Sequence, residues 1–263
     1  MRLYYEIARR SFDRFLTYRA ATLAGMATNG FFGLMRTYLF IGFYGTQGTV
    51  SGWTQTDALT FVWLGQALLM PVFLFGWYEI AQTIRSGDVI SDLSKPYDYY
   101  GFWLARDAGR ALYHLLFRGI PTFLIGAALF RLTLTTNPGI WLAFLLSLIL
   151  AVWISFGMRF LASLASFWLL DYRGPIMVLV WTNGLLSGLL VPLNYWPGWA
   201  EMTVRLLPFA GLIQIPVDII LGKSTGPDVA AALLFQLSWA VALMLAGRLV
   251  LSMAVRKVVV QGG

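Results

Sequence analysis

The chain has 263 residues, 59% of them hydrophobic and only 12% charged, against about 25% charged in an average soluble domain. With a mean hydropathy of +0.70 this reads as a membrane protein. The absence of cysteine excludes a disulfide framework, a thiolate nucleophile and a cysteine metal site, and the single histidine, His114, argues against a histidine metal centre or catalytic triad.

Residues 1–20 open MRLYYEIARRSFDRFLTYR, charged throughout and unlike a secretory signal. Leu3, Tyr4, Ile7, Ala8, Phe12, Phe15 and Leu16 recur at helical spacing, while Arg2, Glu6, Arg9, Arg10, Asp13 and Arg14 fill the opposite face. This pattern predicts a basic amphipathic helix lying in the membrane surface, with a packed surface helix as the rival.

A spanning helix needs roughly 20 mostly apolar residues. Six segments qualify as spans: 22–43, 59–80, 112–130, 140–160 (extending towards 170), 176–192 and 229–251. The fifth has a start signal, since Gly174 breaks the chain and Pro175 suits a first helical turn. In the first span Arg36 is an expensive charge, able to snorkel outwards or to line a path with Asn29, one heptad earlier.

Between the second and third spans lies RSGDVISDLSKPY, residues 85–97. Ser86 or Asp88 is placed to cap a short helix, with Val89, Ile90 and Leu93 as its apolar ridge, Asp88, Asp92 and Lys95 on its flanks and Pro96 ending it. A ridge rimmed by charge suits a partner's groove. A capped turn without a partner fits the same residues.

Leading into the third span, Arg106, Arg110, His114 and Arg118 recur every four residues as one basic helical face, and Asp107 is placed to pair with Arg110. Arg118 reaches into the inner leaflet, where it either snorkels to headgroups or faces a cavity. Gln66 and Asn183 are single amides within spans, a type that more often joins helices than binds substrate. Asn183 is still kept among the candidates for a path. Ser187 and His114 fall near opposite ends of the bilayer, which argues against a serine nucleophile with a histidine base.

The outer link, residues 193–228, is largely apolar despite Pro197, Pro208, Pro216 and Pro227. Its segments 199–207 and 209–221 are too short to span and predict a re-entrant helical pair in the outer leaflet. Gly222-Lys223-Ser224 resembles the end of a phosphate loop, but the pattern GxxxxGK(S/T) needs a glycine where Val217 stands. The chain therefore carries no visible nucleotide site.

Lys and Arg set the orientation. With the N-terminus inside, the inner segments hold Arg2, Arg9, Arg10, Arg14, Arg19, Arg85, Lys95, Arg106, Arg110, Arg159, Arg173, Arg248, Arg256 and Lys257; the outer ones hold Arg131, Arg205 and Lys223. Both termini are expected to be cytoplasmic. The net charge of +7 is then explained by loops at an anionic leaflet, without a nucleic-acid partner.

This order of parts resembles the permease subunit of ATP-binding-cassette exporters of the type-2 class, over essentially the whole chain. The specific pieces are Ser187-Gly188 to Pro192, Pro197-Gly198-Trp199, Leu207-Pro208-Phe209 and Pro216, together with GDVISDLSKP at 87–96, which resembles a subgroup of uncharacterised function. The resemblance implies one all-α transmembrane permease domain over 1–263. It would pair with a second permease, alike or homologous, and with two copies of a cytoplasmic ATPase that carry the ATP and Mg. This chain would then have no catalytic residue and bind no cofactor or metal. The resemblance further implies that 85–97 is the coupling helix, so that Gly87, Asp88, Val89, Ile90, Asp92, Leu93 and Pro96 make the ATPase contact. The 1–20 helix, with Arg9, Arg10 and Arg14, would help seat the ATPase. The outer pair would help close the outer side, and Asn29, Arg36, Arg118, Asn183, Pro192 and Pro208 are the candidate pathway or gate residues. The expected location is the cell (plasma or inner) membrane. A secondary transporter or a non-transporting assembly or immunity factor are the alternatives. The first predicts inverted repeats and midplane carboxylates; the second predicts no ATPase and tolerance of charge changes at Asp88 and Asp92.

Overall fold

A computed structural model describes residues 2–45, 48–72, 78–169 and 171–256, and their architecture is all-α apart from one very small hairpin. Helix α1 (Arg2–Leu16) precedes α2 (Arg19–Tyr44). The two-residue strands β1 (Thr49–Val50) and β2 (Trp53–Thr54) pair antiparallel and lead into α3 (Gln55–Val72). Thr54 and Asp57 cap the start of α3 reciprocally: the Asp57 N–H donates to the Thr54 hydroxyl (3.2 Å) and the Thr54 N–H to the Asp57 carboxylate (3.0 Å).

Helix α3 is the centre of the molecule. Every residue from 57 to 68 is buried, so the helix is apolar all round because it has neighbours all round. Trp63 is fully buried, and a Cβ on Gly126 or Gly33 would run into its ring. Glycine at those two positions lets α2 and the third span close on α3.

Helices α4 (Glu79–Ser86) and α5 (Val89–Leu93) follow, joined at Gly87, whose φ of +83° suits the left-handed cap that glycine tolerates. Next comes α6 (Tyr99–His114), capped by the Asp98 carboxylate on the Gly101 N–H at 2.7 Å. It runs through a π-turn at Leu115–Gly119 into α7 (Ile120–Leu129). The ladder shifts register just before Pro121, which has no N–H to offer the preceding turn. The remaining helices are α8 (Pro138–Leu164), α9 (Arg173–Leu186), α10 (Gly198–Arg205), α11 (Gln214–Ile220) and α12 (Pro227–Val255).

Among the described residues three helices are long and apolar enough to cross a membrane: Tyr99–Leu129, Pro138–Phe167 and Pro227–Val255. They contain the expected third, fourth and sixth spans. The third helix starts well before residue 112, because the polar stretch ahead of it is helical too. The expected first span lies within the 26-residue α2. The expected second span is not one helix over the described residues, since α3 ends at Val72 and α4 begins at Glu79. The expected fifth span is shorter than 176–192: α9 has 14 residues, about 21 Å of rise against a hydrocarbon core of about 30 Å. It ends where Gly188 takes a φ of +84°.

Helix α1 packs along α6. The Ser11 hydroxyl donates to the Arg106 carbonyl at 2.6 Å, Phe12 and Phe15 pack on Tyr113, and a Cβ on Gly109 would overlap the Ala8 backbone. Helices α8 and α12 cross where Gly157 meets Leu243 and Gly247 meets Phe160.

Candidate functional site

The short helix α5 is seated differently from the ridge that its sequence predicts. Val89 is 2% exposed and packs with Ile80, Ile84, Tyr99, Trp103 and Phe160; Leu93 is partly buried against the same cluster. Ile90, at 39%, is the apolar residue of the segment left facing out. A five-residue helix offers only one inward edge, and the cluster between α4, α6 and α8 takes it. Asp88 stands at the cap position, yet neither it nor Ser86 caps the helix; the Ser86 hydroxyl donates to the Asp88 carboxylate at 2.6 Å instead. Asp92 accepts from Lys95 at 2.8 Å, and that contact raises the lysine pKa above its ordinary value. Gly87 and Pro96 are exposed at the two ends of the segment.

Of the N-terminal arginines, Arg9 lies 3.9 Å from Asp13 with both side chains exposed, and Arg10 is exposed. Arg14 lies 3.6 Å from Glu79, the carboxylate that Arg106 also binds. The start of α4 is thereby tied to both α1 and α6.

Two of the candidate path residues meet. Arg118, on the π-turn, donates to the Asn29 side-chain oxygen at 2.9 Å, and the Asn29 amide donates to the Gln66 carbonyl at 3.1 Å. Among the described residues no hydrogen bond joins this pair to Arg36, Asn183, Pro192 or Pro208. Arg36 is buried and donates to the Leu190 carbonyl at 3.0 Å, which holds it inside the molecule rather than snorkelling. Asn183 is 1% exposed, and its side-chain oxygen has no hydrogen-bond partner among the described residues. Pro192 and Pro208 are buried and open the short 3-10 turns Leu193–Tyr195 and Pro208–Gly211.

Gln214 holds the segment between α9 and α12 together. Its N–H donates to the Ser187 carbonyl (3.1 Å), its side-chain oxygen accepts from the Leu193 N–H (2.9 Å) and its amide donates to Asp218 (2.9 Å). A Cβ on Gly188 would press on the same amide group, which accounts for the glycine at this position. Lys223, the lysine of the phosphate-loop fragment, donates to Asp57 at 2.8 Å and to the Gly52 carbonyl at 3.3 Å. It is a clasp between the hairpin and the end of α11. Burial alone would raise the Asp57 pKa, but the bonds from Lys223 and Thr54 outweigh it and leave the pKa below its ordinary value.

One constellation is only half visible in the sequence. Asp107, fully buried, accepts from Arg110 (2.8 Å) and from both terminal nitrogens of Arg159 (3.2 and 2.8 Å). Arg110 also donates to the carbonyls of Met70 and Pro71 at 2.7 and 3.0 Å, among the last of α3, which have no partner within their own helix. Arg110 and Arg159 count among the inner-side charges in the orientation read from the sequence. They are 1% and 8% exposed and lock α3, α6 and α8 together. The spacing of Asp107 and Arg110 signals their pairing; nothing local signals Arg159, 52 residues away.

A family model described as ABC-2 family transporter protein matches residues 32–262. No curated protein and no solved structure matches the chain.

Proposed function

Because the chain belongs to the ABC-2 transporter family and is accordingly a membrane-embedded transport permease, we propose that it forms the translocation path of an ATP-driven exporter. In this reading two permease copies, alike or homologous, pair with two cytoplasmic ATPase subunits that bind ATP and Mg. Both termini face the cytoplasm, as the concentration of arginine and lysine on one side favours.

The observation that carries the coupling reading is the seating of α5. Ile90 and the exposed Asp88 point away from the molecule, while Val89 anchors the same helix between α4, α6 and α8. A partner that grips Ile90 pushes on a helix whose other edge belongs to the bundle. ATP binding in the partner would draw the two copies of α5 together and open a path outward; hydrolysis would reset it. The energetic requirement is that the ATPase binds α5 unequally in its two states.

The test is purification of the tagged protein from its native membrane in mild detergent, with mass spectrometry of what accompanies it. A stoichiometric cytoplasmic ATPase is expected, and Ile90→Asp should lose it while the permease stays inserted. An ATPase retained by Ile90→Asp would place the contact elsewhere. No ATPase in several detergents would overturn the coupling.

A further inference from the structure

A cavity of about 310 Å³ opens where α1 gives way to α2 and both meet α6. Its polar wall includes Arg14, Arg110, His114 and Arg118, with Tyr18 and Thr22 beside them; Phe15 and Met70 are among its apolar wall. No carboxylate lines it. The nearest acids are already shared: Asp107 takes Arg110 and Arg159, and Glu79 takes Arg14 and Arg106. Arg118 has no carboxylate within ion-pair distance among the described residues. Among the described residues it donates to the neutral amide of Asn29, and its shielded Nε has no acceptor. His114, 7% exposed, has its Nδ1 shielded and without a partner beside it.

The fold makes room for this arginine. The Arg118 guanidinium lies across Gly25 of α2, where a Cβ would collide with it. The π-turn carries Arg118, and such turns recur at functional sites. A guanidinium held at membrane depth without a counter-ion is costly, so the seat is shaped for an anion supplied from outside the chain.

We propose that this cavity binds the phosphodiester of an anionic phospholipid, with Arg118 and His114 on the phosphate and Arg14 at the mouth. A lipid is favoured over a soluble anion by the apolar wall. The position at the junction of the amphipathic α1 with α2 agrees, since headgroups lie at that level. The volume is at the low end of the range for small-molecule sites, about 300–1,000 Å³, and suits a phosphate with part of its glycerol. The leaflet, the cytoplasmic one, rests on the orientation given above; the binding itself does not, and its test uses the purified permease without any ATPase.

The experiment is native mass spectrometry and thermal melting in detergent with added phosphatidylglycerol or phosphatidylcholine. Phosphatidylglycerol should bind preferentially and raise the melting temperature. Arg118→Gln should cut that preference about tenfold or more, the worth of one hydrogen bond to a charged group. Should Arg118→Gln fail to fold for want of its bond to Asn29, Gly25→Ala pushes the guanidinium off its seat and should weaken the preference likewise. Equal binding of the two lipids, or a preference untouched by these variants, overturns the proposal. So does full displacement of the lipid by millimolar glycerol phosphate or inorganic phosphate, which would make the seat one for a soluble anion.

Discussion

Asp107 on α6 and Arg159 on α8 meet side-on, with Nη1 to Oδ1 at 3.2 Å and Nη2 to Oδ2 at 2.8 Å, in a place that solvent does not reach. Two parallel charge-assisted bonds fix both distance and angle between the helices. Because Arg110 shares the same carboxylate and also holds the end of α3, one aspartate sets the relative position of three helices.

Asp107→Asn should therefore be severe. It leaves two buried guanidiniums facing a neutral amide, a loss of about 3–5 kcal/mol. Arg159→Met leaves Asp107 with Arg110 and should cost less, about 1–3 kcal/mol. Thermal unfolding of the detergent-purified variants checks the ranking; equal melting temperatures would contradict it.

The seating of α1 yields a second expectation. Gly109→Val puts a side chain into the Ala8 backbone and should lift α1 from α6. Trypsin cleavage after Arg9 and Arg10 should then be markedly faster than in the wild type, with the rest of the chain still protected. Ser11→Ala, which removes only the bond to the Arg106 carbonyl, should cost about 1 kcal/mol and leave cleavage nearly unchanged.

Val89 and Asp88 are neighbours with opposite surroundings. Val89→Asp places a carboxylate within the cluster of Ile84, Trp103 and Phe160 and should destabilise the protein by about 2–7 kcal/mol. Asp88→Asn, on the exposed side, should leave the unfolding profile unchanged. Size-exclusion chromatography in detergent separates the two, with Val89→Asp aggregated. A loss of coupling in Val89→Asp would on this account be a folding defect, which is why Ile90 is the residue to change.

The Asp57–Lys223 clasp has a pH window. The folded pKa of Asp57 lies below its ordinary 3.8, so the clasp contributes fully above that value and is lost as pH falls through the lower folded one. The melting temperature should be flat from pH 7 to about pH 5 with respect to this pair and drop below about pH 4. In Lys223→Met that component of the drop should shrink, with a loss of about 1 kcal/mol at neutral pH.

Much of this was legible in one dimension. Composition marks the lipid environment, the 3.6-residue period marks α1, and the long apolar runs mark α6–α7, α8 and α12. Gly87 and Pro96 bracket α5 correctly because backbone constraints are local. The same local reasoning misjudges what α5 shows to its surroundings, since an apolar ridge looks identical whether it faces a partner or its own bundle. Arg36 and Arg118 stand out as expensive charges, but whether each snorkels depends on Leu190 and Asn29, far away in the chain.

The sequence by itself determined that this chain lives in a membrane, where its longest apolar helices lie, and which family it resembles. These follow from hydropathy, periodicity and the special backbones of glycine and proline, all properties of neighbours along the chain. Only the tertiary structure decided that α3 is the buried centre, that Val89 faces inward and Ile90 outward, and that Arg159 is a strut between α8 and α6. It also decided that Arg118 lies over Gly25 beside a cavity without a carboxylate. Those outcomes depend on contacts between distant segments, where burial and the need to pair charge choose among faces that periodicity leaves equivalent.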